Sequence, residues 1–192
     1  MFISTEDTPN PSSLKFTAGQ PVAGEGRSRD FPSADAASGV SPLAERLFAI
    51  GGVSQVFFGS DFVTVSKDDE APWQSLKPAI MGVLMEHFTR SLPAITETRQ
   101  ATPTSDDDGL MAGDADDPVI GQIRELLDTR VRPAVAQDGG DIVFRGFDRG
   151  VVYLHMQGAC AGCPASTMTL KNGVENLLRH YIPEVTEVQA IG

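Results

Sequence analysis

Cysteine is nearly absent from this sequence. The 192 residues contain two, Cys160 and Cys163, too few for a disulfide framework. Basic residues are scarce as well: 15 Lys and Arg stand against 26 Asp and Glu, a formal net charge of −11. Nucleic-acid phosphates need clustered Lys and Arg, so that class of partner is excluded. No apolar run approaches the ~20 residues of a membrane-spanning helix, so no membrane partner is expected. The opening residues, MFISTEDTPNP, lack a basic segment followed by an apolar core. They also lack the Arg-rich amphipathic character of a transit peptide, and the chain as given reads as cytoplasmic.

The acidic charge that is present is unevenly spread. Residues 1–100 carry 12 acidic and 8 basic groups, and residues 118–192 carry 8 and 7. Between them, residues 101–117 hold 6 aspartates and no base. That stretch, ATPTSDDDGLMAGDADD, has few large apolar residues and repelling charges, so it cannot form a core. It predicts two small domains, residues 1–93 and 117–192, joined by a flexible acidic linker over residues 94–116.

Both domains read as α+β. In the second, Asp117 caps a helix and Pro118 suits its first turn. Ile120, Ile123, Leu127 and Val131 follow at helical spacing, and Pro133 interrupts or restarts the helix. QDGGD (137–141) stops the helix and turns into a strand, a structural role for Asp138 and Asp141. DIVFRGF and VVYLHMQ then form an antiparallel hairpin across DRG. After the cysteines, Pro164 opens a helix with Leu170, Val174, Leu177, Leu178 and Tyr181 on one stripe. VTEVQAI alternates as a last strand. The order is α-β-β-α-β, a small sheet covered by helices. The first domain offers strands at FISTEDT and SLKFTAG, a short helix from Ser41–Pro42, and a hairpin of VSQVFF and FVTVSK. A long helix follows through Trp73, Leu76, Ile80, Leu84 and Phe88, with Pro78 placed to kink or split it. Residues 19–40, rich in Gly, Ser, Pro and Ala, read as a mobile loop.

The chemistry lies in GACAGCPAS (158–166), where three uses of the C-x-x-C pair compete. The pair follows a strand and precedes a helix, as a thiol–disulfide oxidoreductase site does. Against this, only 29 residues follow Cys163, too few to complete a thioredoxin sheet. Structural zinc wants four ligands. His87 lies in the other domain, and His180 stands at the far end of a helix some 27 Å long at 1.5 Å per residue. His155 is nearer but sits on a strand, so one chain supplies two ligands, or three with His155. The third use accepts the shortage. Two chains bring four thiolates, enough for a [4Fe–4S] or [2Fe–2S] cluster on a two-fold axis. Gly158, Ala159, Ala161 and Gly162 would let backbone N–H groups approach its sulfurs, and the helix from Pro164 would present its positive end. Ser166 reads as a helix cap, and Met156 and Met168 as packing residues rather than ligands.

LLDTRVRPAVAQDGGDIVF (126–144) with YLHMQGACAGCPASTMTLKNGVENLL (153–178) closely resembles the C-terminal domain of the NifU/Nfu family. MFISTEDTPNPSSLKF with PWQSLKPAIMGVLMEHF (72–88) looks like the Nfu N-terminal domain. The resemblance implies an iron–sulfur scaffold or carrier, not an enzyme. It implies a [4Fe–4S] cluster bridged between two subunits of a homodimer by Cys160 and Cys163. It further implies delivery to apo iron–sulfur clients docked by the first domain, with upstream assembly machinery supplying the cluster.

Overall fold

The computed structural model describes residues 2–24, 27–96, 117–161 and 164–191. It divides into two compact units, Met1–Ala101 and Thr102–Gly192. Most of the expected linker, residues 97–116, lies outside the described residues. Its first three residues pack on the first unit. Ala94 is buried and its carbonyl accepts from Ser41 Oγ at 2.5 Å, while the Thr96 N–H donates to the Val40 carbonyl at 2.9 Å.

The first unit is a five-stranded antiparallel sheet with helices. Its strands are β1 (Ser4–Asp7), β2 (Ser13–Thr17), β3 (Arg29–Phe31), β4 (Val53–Phe58) and β5 (Phe62–Lys67), in the order β1-β2-β5-β4-β3. The helices are α1 (Ala34–Ala37), α2 (Pro42–Phe48) and α3 (Trp73–Thr89). Ser41 caps α2 by accepting the Ala44 N–H at 3.0 Å. Pro78 neither splits nor ends α3. It sits in the helix's exposed second turn, where water can satisfy the Gln74 carbonyl that loses its partner.

The mobile-loop expectation for residues 19–40 is corrected. This stretch carries β3, paired with β4 from Arg29↔Phe58 to Phe31↔Val56, and then α1. Phe31 is fully buried, its ring edge-on to Phe58 at 5.2 Å between centroids. A three-residue strand is too short for a readable alternation, and one aromatic supplies most of its burial.

His87 is the unusual member of this core. It is fully buried on α3, with no hydrogen bond of ordinary geometry to either ring nitrogen, although the Leu92 backbone lies close enough to favour the charged ring slightly. Burial first, and then the charge of Arg46, hold its pKa below the ordinary value. The folded unit therefore resists taking up a proton that the unfolded chain accepts near pH 6.5. Stability is retained above that pH and lost as pH falls through it toward the depressed folded value. His87→Leu is expected to flatten the decline of the first unit's thermal midpoint between pH 7.5 and 5, measured by calorimetry; an unchanged slope counts against it.

The second unit begins with α4 (Pro118–Leu126), capped by Asp117, whose Oδ1 accepts the Val119 N–H at 2.9 Å. A π-helical turn, Leu127–Val131, leads into α5 (Arg132–Gln137). The wider turn falls just before Pro133, where an α-helical ladder would clash with the ring and lack a donor. β6 (Gly140–Asp148) and β7 (Val151–Gly158) form the expected hairpin. α6 (Pro164–Tyr181) then crosses over to β8 (Glu187–Ile191), which pairs parallel to β7 in the order β6-β7-β8. Glu175 of α6 ties the crossover down, its Oε2 accepting the Val188 N–H at 3.1 Å. Ile120, Ile123, Ile142, Leu154, Val174, Leu178 and Val188 form the core. Tyr181 departs from its expected stripe: it is exposed, Ile182 fills the buried position, and Arg130 lies 5.8 Å from its ring.

Candidate functional site

β7 alternates strictly: Val152, Leu154 and Met156 face the core, and Val151, Tyr153, His155 and Gln157 face the other way. It ends at Gly158, whose φ of 66° lets the chain turn sharply toward α6. Cys160 lies in that turn, 6% exposed and packed in the core cluster with Met156. Cys163 and the side chains of residues 164–166, Ser166 among them, lie outside the described residues.

Antiparallel pairing sets Gly140 opposite Gly158, which brings the start of β6 against the cysteine turn. The Gly139 carbonyl accepts the Ala159 N–H at 3.2 Å. A Cβ on Gly140 would fall 2.5 Å from Cys160 Sγ and 2.7 Å from the Gln157 carbonyl oxygen. Only a bare Cα leaves room for the thiol. From α6, Thr167 Oγ1 donates to the Cys160 carbonyl at 3.0 Å. The start of β6 is itself pinned. Arg132 of α5 donates through Nε and Nη2 to the two carboxylate oxygens of Asp141, at 3.0 and 2.9 Å. Its Nη1 reaches Asp128 at 3.1 Å, and Asp141 Oδ1 also accepts the Ile142 N–H at 2.8 Å. These contacts raise the Arg132 pKa further, so its charge is permanent.

Burial, and then the charges of Asp138 and Asp141, push the Cys160 thiol up to about 12. Reactive cysteines show the opposite: a lowered pKa and an open approach. The first thiol of the pair is thus poorly suited to attack a disulfide. In an iron-free Cys163→Ser chain at pH 7, iodoacetamide should alkylate Cys160 at least about a hundredfold more slowly than a free cysteine. An equal rate contradicts the buried site.

The two histidines of the second unit make their contacts away from Cys160. His155 is half-buried on the face of β7 turned from the core, its Nδ1 2.9 Å from the Ile191 carbonyl. His180 packs edge-on against Tyr181 on the last turn of α6, with 5.0 Å between ring centroids. Met156 packs in the core, as expected; Met168 does not, being 65% exposed on α6. The Ala159 and Ala161 N–H groups, expected to point at cluster sulfurs, bond to the Gly139 and Gly158 carbonyls instead. Sequence reading missed the Arg132–Asp141 pair, which nothing in the spacing of DGGD announces, and with it the electrostatic influence of both aspartates on the thiol. Among the described residues, no three His, Cys, Asp or Glu side chains form a metal-binding group, and no helix is long and apolar enough to cross a membrane.

An α+β unit with a cysteine turn seated under a diglycine turn defines a small thiol-bearing domain. The family model described as scaffold protein Nfu/NifU N terminal matches residues 3–91, and the NifU-like domain matches residues 123–189. The chain is 51% identical over 191 residues to the Drosophila ananassae protein named NFU1 iron-sulfur cluster scaffold homolog, mitochondrial, covering 100% of this chain and 64% of that one. The Drosophila persimilis protein of the same name is 52% identical over 191 residues, covering 100% and 65%. The chain thus spans less than two thirds of these relatives' lengths. The solution structure of a NifU-like protein from Saccharomyces cerevisiae is 29% identical, covering 50% of this chain and 86% of that one, with a TM-score of 0.47.

The chain belongs to the NifU/Nfu family, with an Nfu-type first domain and a NifU-like second domain. One expectation is overturned. The relatives matched along the whole chain are named as mitochondrial, against the cytoplasmic reading. That reading rested on the opening residues, whereas targeting segments are separable from the folded domains they accompany.

Proposed function

We propose that this chain is an iron–sulfur cluster scaffold and carrier whose cargo is held by Cys160 and Cys163. The observation that carries the reading is the pair itself, set in a NifU-like domain between the end of β7 and the start of an 18-residue helix. Thiolate sulfur is the donor that iron–sulfur clusters take, and the N-terminal end of α6 favours an anionic cargo. Two thiolates per chain leave half of a four-thiolate set to be supplied, and a second copy supplies it symmetrically. The cargo is then a [4Fe–4S] cluster, or a [2Fe–2S] cluster, on the axis of a homodimer. A ligand set split between two chains comes apart readily, which suits handing the cluster to apo iron–sulfur proteins. The first unit has its own core and is free to dock those clients, while the second receives the cluster from assembly machinery.

The raised pKa of Cys160 is consistent with a scaffold. Coordination to a metal ion deprotonates a thiol outright, so the thiol need not ionise beforehand. Thiol–disulfide exchange gains no such help, which disfavours an oxidoreductase built on the same pair.

The test is anaerobic reconstitution with iron, sulfide and thiol. Cys160→Ser and Cys163→Ser should each lose most bound iron and the visible absorption of a cluster, while circular dichroism shows the fold retained. A single variant with wild-type iron content would mean that another ligand exists and would sink the assignment.

A further inference from the structure

Cys160 Sγ is turned into the domain, against Gly140 and the core, whereas a ligand shared between two chains has to face outward. The seat that holds it is built from three directions. The diglycine turn forms the floor, with Gly139 at a φ of 81° and its carbonyl on the Ala159 N–H. Arg132 fixes that floor from α5 through Asp141, and Thr167 holds the Cys160 carbonyl from α6. The floor has no tolerance. A methyl on Gly140 would meet Sγ at 2.5 Å, the Gln157 carbonyl at 2.7 Å and Cys160 Cβ at 3.2 Å. Two of those three atoms belong to Cys160, and Sγ, the nearest of them and the end of a side chain, yields more cheaply than the Gln157 backbone, which must also shift.

We propose that Gly140 is a positioning residue for Cys160: its bare Cα leaves the space in which the thiol sits inward, and this seat governs how fast the thiol is offered to iron. The proposal rests on the reading of Cys160 as a cluster ligand. It assigns the Gly140 position a function beyond the turn, because a glycine needed only for chain reversal would leave the thiol's exposure unaffected. Gly140 continues into a strand, and its φ is not in the left-handed region, so alanine is excluded by space and not by backbone conformation.

The test uses the full chain. Gly140→Ala is compared with Gly173→Ala, a control on α6 where an added Cβ meets nothing within 4 Å. Iodoacetamide alkylation of Cys160, followed by mass in the iron-free Cys163→Ser background, should be at least about tenfold faster in Gly140→Ala and unchanged in Gly173→Ala. With both cysteines present, the initial rate of iron uptake on reconstitution should rise in Gly140→Ala. A shift of the Gln157 carbonyl is the competing relief, so the thermal midpoint of Gly140→Ala is also measured with and without Cys160→Ala. If the methyl is resisted by the thiol, the midpoint loss is smaller in the Cys160→Ala background. Wild-type alkylation rates in Gly140→Ala, or equal midpoint losses in both backgrounds, overturn the seat even where iron binds normally. Faster alkylation in a chain whose wild type takes up no iron overturns instead the cluster reading on which the proposal rests.

Discussion

The register that places Gly140 opposite Gly158 is the constraint on which the second unit's site depends. It brings the end of α5 and the start of β6 against the turn that carries Cys160. Two residues without side chains face each other there, so backbone and thiol approach more closely than any other pair would allow. The Arg132–Asp141 pair then holds the register at its open end. Asp141 is buried, and a buried carboxylate is tolerable only when it is paired and hydrogen-bonded, as this one is by Arg132 and the Ile142 N–H.

The charge that secures the turn also sets the character of the thiol. Asp138 and Asp141 stand near Cys160 and disfavour its thiolate, on top of the larger effect of burial. A site evolved for redox attack would place positive charge there instead. This arrangement keeps the thiol protonated and sheltered, as the proposed scaffold role allows. Keeping a reactive sulfur sheltered also guards it against oxidation, since susceptibility follows thiolate character and exposure.

Much of the fold was legible because its strands are β-branched and aromatic runs set off by turn residues and its helices begin at marked caps. β4 and β5 follow VSQVFF and FVTVSK residue for residue, and Pro42 and Pro118 mark their helix starts as proline does at a first turn. What was not legible depends on contacts distant in sequence. β3 is a strand only because β4 lies beside it, and β8 is parallel to β7 only because α6 crosses between them. The helical stripe that included Tyr181 failed by one residue, since Ile182 is the better core-former at the same end of the helix. At the site, the cysteines could be picked out from their spacing, but the inward direction of Cys160 could not. It follows from a glycine 20 residues away, whose missing side chain leaves no trace in any hydrophobic pattern.

The account turns on a shortage of ligands: a chain with two cysteines can satisfy a cluster of four thiolates only by sharing it. Native mass spectrometry of the anaerobically reconstituted protein, with iron and sulfide counted on the same sample, measures this directly. The account predicts a species of twice the 20.4 kDa of one chain plus a single cluster, with about two irons per chain for a [4Fe–4S] form, reverting to one chain when the iron is chelated. A fully iron-loaded species with the mass of one chain would contradict it.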